Sequence, residues 1–171
     1  MRTKTDVTKQ WIENYIFELN LCPFSHVSYH NNALEYIEVD SLDEQFVKTV
    51  FSRFLKVEAS MQHSMLLIFG NELTWDEILE VEGLLEFFLT NEQAELIKFV
   101  IFHPDYEHGE TENELLHYTN KSPLPVIQLL HLDAVNHSVP SSLVEKILLN
   151  NEKNLSSRSV TELNRLLDGC K

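Results

Sequence analysis

The chain is poor in several residues from which common functional sites are built. Its two cysteines, Cys22 and Cys170, are too few and too far apart in sequence to form a disulfide framework or a structural zinc site of the usual kind. They read as reduced thiols of a cytoplasmic protein. Four glycines, Gly70, Gly83, Gly109 and Gly169, fall in no nucleotide-binding pattern, which leaves no glycine-rich phosphate loop. Basic residues are also scarce. The 13 lysines and arginines face 27 acidic side chains, and the net charge of −14 argues against binding nucleic acid or an anionic membrane. No apolar run is long enough to span a bilayer, and the first nine residues are polar, without the apolar stretch of a secretory leader.

Core material is plentiful. Hydrophobic residues make up 43% of the 171, and aromatics 10%, enough for one globular domain over residues 1–171 with a packed interior. The charge is unevenly spread. Between Glu72 and Glu114, 13 acidic side chains accompany Lys98 alone, a net −12, while the rest of the chain is close to neutral. Such a run is either a solvated face with an exposed loop or a docking surface for a basic partner.

Hydrophobic periodicity sets the order of elements. Val7, Trp11, Tyr15 with Ile12, Ile16 and Leu19 predict an amphipathic helix over about 5–20, stopped near Asn20 because Pro23 pushes Cys22 out of the α region. Glu35 to Val39 predicts a strand. Ser41 and Glu44 fit a capping box opening a helix that runs to about Gln62 through Phe46, Val50, Phe54, Val57 and Met61. Met65 to Phe69 is a short apolar run, ended by Gly70, of the kind buried on both faces. A second cycle follows: a capping box at Thr74 and Glu77, a helix through Ile78, Val81, Leu85 and Phe88, then a strand from Leu96 to Phe102. Residues 126–132 fit helix or strand, and Pro123 and Pro125 favour strand. Capping boxes at Ser142–Glu145 and Ser159–Glu162 predict two shorter helices, with Gly169 placed to end the second. Strands alternating with helices predict an α/β fold: a mostly parallel or mixed sheet of about four strands, covered by helices.

His103-Pro104-Asp105-Tyr106 leaves the third strand where open α/β sheets bind ligands. His103 is the candidate acid or base, oriented by Asp105. The same residues also suit a loop anchor, with Pro104 shaping a turn. Residues 103–122 lack clear periodicity and make a long loop. The loop ends in Tyr118-Thr119-Asn120-Lys121-Ser122-Pro123, a polar run able to gather amide, ammonium and hydroxyl groups around an anion, or simply to turn into the next strand. Cys22, at a helix exit, reads as a buried structural thiol unless Lys121 or His103 folds against it. No zinc motif joins the eight histidines; His26, His30, His63, His108, His131 and His137 read as surface or packing residues. A set drawn from His103, Asp105, His117 and Cys22 could hold a metal but has no specific spacing, so no metal ligand is assigned and any cofactor is unspecified.

Three of these segments carry a resemblance. Leu19-Asn20-Leu21-Cys22-Pro23-Phe24, Phe102-His103-Pro104-Asp105-Tyr106 and Tyr118-Thr119-Asn120-Lys121-Ser122-Pro123, with Pro125 and Leu129-Leu130, resemble in order and spacing the bacterial family called domain of unknown function 1415. The likeness extends to about Val139. In that family the last motif more often reads Asn-Tyr-Thr-Asn-Arg-Ser-Pro-Tyr-Pro; here His117, Lys121 and Leu124 replace the first Asn, the Arg and the second Tyr. Lys121 offers a point charge where arginine offers a fork.

The resemblance implies that the motifs meet in one place, as a site or as a structural hydrogen-bond network, and brings no mechanism with it. Two functional readings follow. One is a small-molecule-binding or enzymatic domain with His103, Asp105 and Cys22 as candidate catalytic residues and Tyr106, Asn120, Lys121 and Ser122 as ligand-binding residues. The other is a non-catalytic protein docking a basic partner through its acidic 72–114 surface. Oligomeric state is open on either.

Overall fold

The computed structural model of the chain describes residues 2–60, 63–107, 113–138 and 140–171. It contains one four-stranded mixed sheet with helices on both faces. The strands are β1 (Leu34–Glu38), β2 (Ser64–Ile68), β3 (Ile97–Phe102) and β4 (Val126–His131), all four at the predicted places. Their order across the sheet is β1-β2-β4-β3. β1 and β2 are parallel, whereas β4 runs antiparallel between β2 and β3, so the expected parallel pairing of β2 with β3 does not occur. The reason is burial. β2 is buried at every position and β4 at most of its positions, so both belong in the centre. The edges fall to β1 and β3, whose charged Glu35, Glu38 and Lys98 would be costly inside a sheet and discourage pairing with another chain.

Alternate side chains then divide into two cores. Met65, Leu67, Ile101, Ile127 and Leu129 face α3 (Glu44–Phe54) and α4 (Trp75–Phe87), packing with Val47, Phe51, Phe54, Ile78 and Leu85. Leu66, Ile68 and Val126, with Phe102, face the other layer, formed by the chain termini. That layer comprises α1 (Lys4–Trp11), which continues as a π-helical turn over Ile12–Phe17, a 3-10 helix over Glu114–Thr119, α7 (Ser141–Ser156) and α8 (Val160–Asp168). Short α2 (Ser25–His30), α5 (Asn91–Ala94) and α6 (Leu132–Ser138) complete the list of helices, and none of the helices in the described residues is long and apolar enough to cross a membrane.

Local details differ from expectation in instructive ways. The first helix widens into a π turn after Trp11, and both Ile12 and Ile16 are buried in the core on that side of the sheet. Its end is set by Asn20 rather than Pro23: Asn20 takes φ 48°, Leu21 N–H donates to Ile16 C=O and Asn20 N–H to Phe17 C=O, a Schellman arrangement with apolar Ile16 and Leu21 in the same core. Asp43, not Ser41, caps α3, accepting from Phe46 N–H. α3 stops at Phe54, short of the expected limit; Met61 and Gln62 lie outside the described residues. Pro140 precedes α7, and no capping box forms at Ser142. The boxes at Thr74 and Ser159 are present. Gly169 follows α8 in right-handed rather than left-handed geometry. Residues 108–112 of the long loop, with His108 and Gly109, also lie outside the description.

Candidate functional site

Residues Leu19 to Phe24 leave the π turn and cross over the sheet face formed by Leu34, Ser64, Leu66, Val100, Phe102, Gln128 and Leu130. Between them lies a cavity of about 270 Å³. Trp11, Ile12 and Ile16 form one wall, Cys22, Phe24, Ser25 and Ser28 another, Thr119 and Asn120 a third, and Asn151 of α7 closes it. The walls are mostly apolar, and no charged side chain is among them. Register shows where it sits. Leu34, Ser64 and Leu130 are one rung of the sheet and Leu66 and Gln128 the next, so the cavity covers the sheet face and not the crevice beyond the strand ends.

Most polar groups on this wall already serve the fold. Gln128 Nε2 donates to Ser64 Oγ at 2.9 Å, Asn120 Nδ2 to Ile101 C=O at 2.9 Å, and Thr119 Oγ1 to Leu116 C=O at 2.7 Å. Asn120 thereby covers a carbonyl on edge strand β3. Burial pushes the Cys22 thiol up, despite main-chain N–H groups of Phe24 and Ser25 that pull the other way. Near neutral pH it is therefore a protonated, weakly polar wall residue, without the electropositive neighbour a nucleophilic thiol needs. Asn151 differs from its neighbours. It is 6% exposed, and its Oδ1 is buried with no hydrogen-bond partner in the protein. Asn150 and Asn154, on the same helix, donate to Asn20 C=O and Leu19 C=O, fixing α7 against the first motif.

The other candidate residues are not among the cavity walls and knit two motifs together. His103 is 2% exposed. Its Nδ1 accepts from Asp105 N–H at 3.0 Å, which places the proton on Nε2, donated to Leu73 C=O at 3.0 Å. It is thus the Asp105 main chain, not its exposed carboxylate, that meets the ring. Main-chain bonds run from His103 N–H to Asn120 C=O and from Ser122 N–H to His103 C=O. Lys121 Nζ donates to Pro104 C=O at 3.0 Å and lies 5.4 Å from the Tyr118 ring centre. Ser122 Oγ donates to Leu124 C=O at 2.6 Å. Tyr106 stacks edge-on against Trp75, which also lies beside His103. Two bonds then tie this loop to the N-terminal helix: Trp11 Nε1 to Lys121 C=O, and Tyr15 OH to Tyr118 C=O at 2.8 Å.

The geometry therefore brings Cys22 and Asn120 to one cavity, and sets His103, Asp105, Tyr106, Lys121 and Ser122 in the supporting network beside it. Asn151 was not singled out by sequence reasoning. A signal existed: Asn150, Asn151 and Asn154 are poor helix formers inside a 16-residue helix, which asks for a tertiary reason. Among the described residues, no group of three or more His, Cys, Asp or Glu is arranged to hold a metal. No curated protein and no solved structure matches the chain. Residues of all three motifs line the one cavity, and the chain belongs to the family described as protein of unknown function (DUF1415), which it matches over residues 3–165.

Proposed function

We propose that the protein binds a small neutral molecule in the cavity beneath Leu19–Phe24. The observation that carries this reading is a partly enclosed, mostly apolar cavity to whose wall all three motifs contribute, the second through Phe102, and no charged residue does. Burying an unpaired ion there would cost several kcal/mol, so neutral ligands are favoured over anions. Cys22 and Asn120 touch the ligand. His103, Asp105, Tyr106, Lys121 and Ser122 are positioning residues, holding the Asn120 wall through the bonds described above. Both cysteines are free thiols, in keeping with a cytoplasmic protein, and the acidic composition disfavours nucleic acid as a partner.

Trp11, on the wall, is a built-in reporter. With Trp75→Phe leaving Trp11 the one tryptophan, neutral aromatic fragments at saturating concentration are expected to change the fluorescence and raise Tm by about 2–5 °C, with benzoate and benzylammonium doing neither. Equal responses to neutral and charged fragments, or none, would sink the reading. A second reading, docking of a basic partner, is favoured by one observation on α4: Leu79, Leu84 and Phe87 are exposed apolar residues, Phe87 at 80%, amid Asp76, Glu80, Glu82 and Glu86.

A further inference from the structure

We propose that the cavity takes a flat, neutral ring whose edge carries an N–H and a C=O side by side, and that the Gln128 side-chain amide reads that edge. This rests on the small-molecule-binding reading and names the ligand class.

Place in the sheet comes first. Gln128 sits on the central strand β4, with Leu66 of β2 and Val100 of β3 as its cross-strand partners. All three lie on the cavity floor, and Leu130 follows two residues on along the same face. Packing alone would put an apolar side chain at Gln128, because burying an amide costs free energy unless its groups are paired. Strands flank Gln128 on both sides, yet it is only half-buried, and it is the cavity that opens above it.

The amide is fixed at one corner. Nε2 donates one hydrogen to Ser64 Oγ at 2.9 Å, and Ser64 is itself 2% exposed. The second N–H and Oε1 have no partner among the described residues. Oε1 is not sealed in the way that Asn151 Oδ1 is, so it keeps open surface, and that surface faces the cavity. Turning the amide over leaves the same offer. The Ser64 hydroxyl donates as readily as it accepts, and one N–H and one oxygen lone pair still remain for a guest. Such a planar pair binds a complementary ring edge through two hydrogen bonds at once, as glutamine does with the edge of adenine.

The rest of the wall agrees. A dry protein cavity of about 150 Å³ accommodates benzene, so about 270 Å³ has room for two fused rings. The Trp11 and Phe102 rings meet edge to face at 5.1 Å, surfaces that suit an aromatic guest. Asn120 is the rival amide. Its Nδ2 is bonded to Ile101 C=O and its Oδ1 already lies beside Thr119 Oγ1 at 3.0 Å, so the experiment must separate the two.

The test uses the full chain and two isomeric probes: 2-quinolone, whose N–H and C=O are adjacent, and 4-quinolone, whose N–H and C=O lie across the ring. Naphthalene is the apolar control, and affinities are read by calorimetry. The expected result is 2-quinolone tighter than 4-quinolone by about 10-fold or more. In Gln128→Met that preference vanishes while naphthalene affinity is kept, which also reports that the variant is folded. A second readout needs no substitution: in the wild-type chain the Gln128 side-chain N–H signals shift in NMR with 2-quinolone and much less with 4-quinolone. If the isomers bind the wild-type chain equally, or if the preference survives Gln128→Met, as it would were Asn120 the reader, the assignment of Gln128 is overturned while the cavity reading stands. If none of the three probes binds, both fail.

Discussion

His63 and His131 show how two unremarkable sequence positions become a coupled pair. His63 Nε2 lies 3.1 Å from Glu35 Oε1, and the other Glu35 oxygen meets Arg53 Nη2 at 2.7 Å. With Nε2–H given to Glu35, His63 Nδ1 accepts from His131 Nε2–H across 3.1 Å. Both rings stack on Phe54. Burial first, then the neighbouring His63, hold His131 below the ordinary imidazole range. Lys56, Glu58 and Asp133 line the shallow groove it faces. Because the folded pKa is lowered, the unfolded chain takes up protons more readily as pH drops through the ordinary value of about 6.5. Stability present above that pH is therefore lost as pH falls through the folded pKa. Urea unfolding at pH 7.5, 6.5 and 5.5 should show a falling free energy, and His131→Phe should flatten the slope; a slope unmoved by the substitution would remove His131 as its source. In the sequence His63 and His131 read only as surface or packing residues; their pairing needs β2 and β4 side by side.

At the scale of elements, local chemistry decided most starts and one important stop. Thr74 and Ser159 cap α4 and α8 as their sequences specify, since all partners lie within one turn. Around α3 two candidates compete, and Asp43 wins over Ser41 because it is the residue from which the side chain reaches the N–H of Phe46, the third residue of the helix as it forms. The stop at Asn20 shapes the cavity, since it turns the chain across the sheet. Its positive φ is costly for a residue with an ordinary side chain and free for glycine. Asn20→Ala should cost about 1 kcal/mol in denaturant unfolding, and Asn20→Gly should be neutral within about 0.5 kcal/mol. Equal losses for both would mean that the asparagine side chain, not the backbone geometry, matters there. The 3-10 helix and the short α2 escaped prediction because each is a single turn or two with no full apolar period.

For the molecule as a whole, the acidic stretch takes in α4, α5 and β3 and ends at Glu114, which opens the 3-10 helix of the cavity layer. On α4, Leu79, Gly83 and Phe87 recur every fourth residue, and a side chain at Gly83 would meet open space. Burial and the like charge of Glu86 push the Glu82 carboxyl up, and among the described residues no ion pair relieves Glu80, Glu82 or Glu86. An apolar stripe between unpaired carboxylates fits a cationic amphipathic segment and disfavours a second acidic copy. A helical Leu/Lys peptide should bind, weaken by about 10-fold or more between roughly 50 and 500 mM salt, and weaken again with Phe87→Ser or Glu80→Lys. Binding indifferent to both substitutions would be unspecific charge attraction, and the docking reading would fall.

The sequence by itself determined the family, the four strands, the main helices and the sharp separation of an acidic region from a nearly neutral remainder, because those depend on short-range periodicity, capping and composition. Strand order was beyond it, since any crossover length permits β4 to sit beside β2, β3 or both; burial on both faces of β4 decided that. The sequence singled out His103, Lys121 and Cys22 by residue type. Only the tertiary structure separated their settings, joining both nitrogens of His103 and the ammonium of Lys121 to main-chain groups and leaving Cys22 on the wall of a neutral cavity. Asn151 entered for the same reason: an unsatisfied carbonyl is a property of packing, which exists only when a helix from the far end of the chain closes over the sheet.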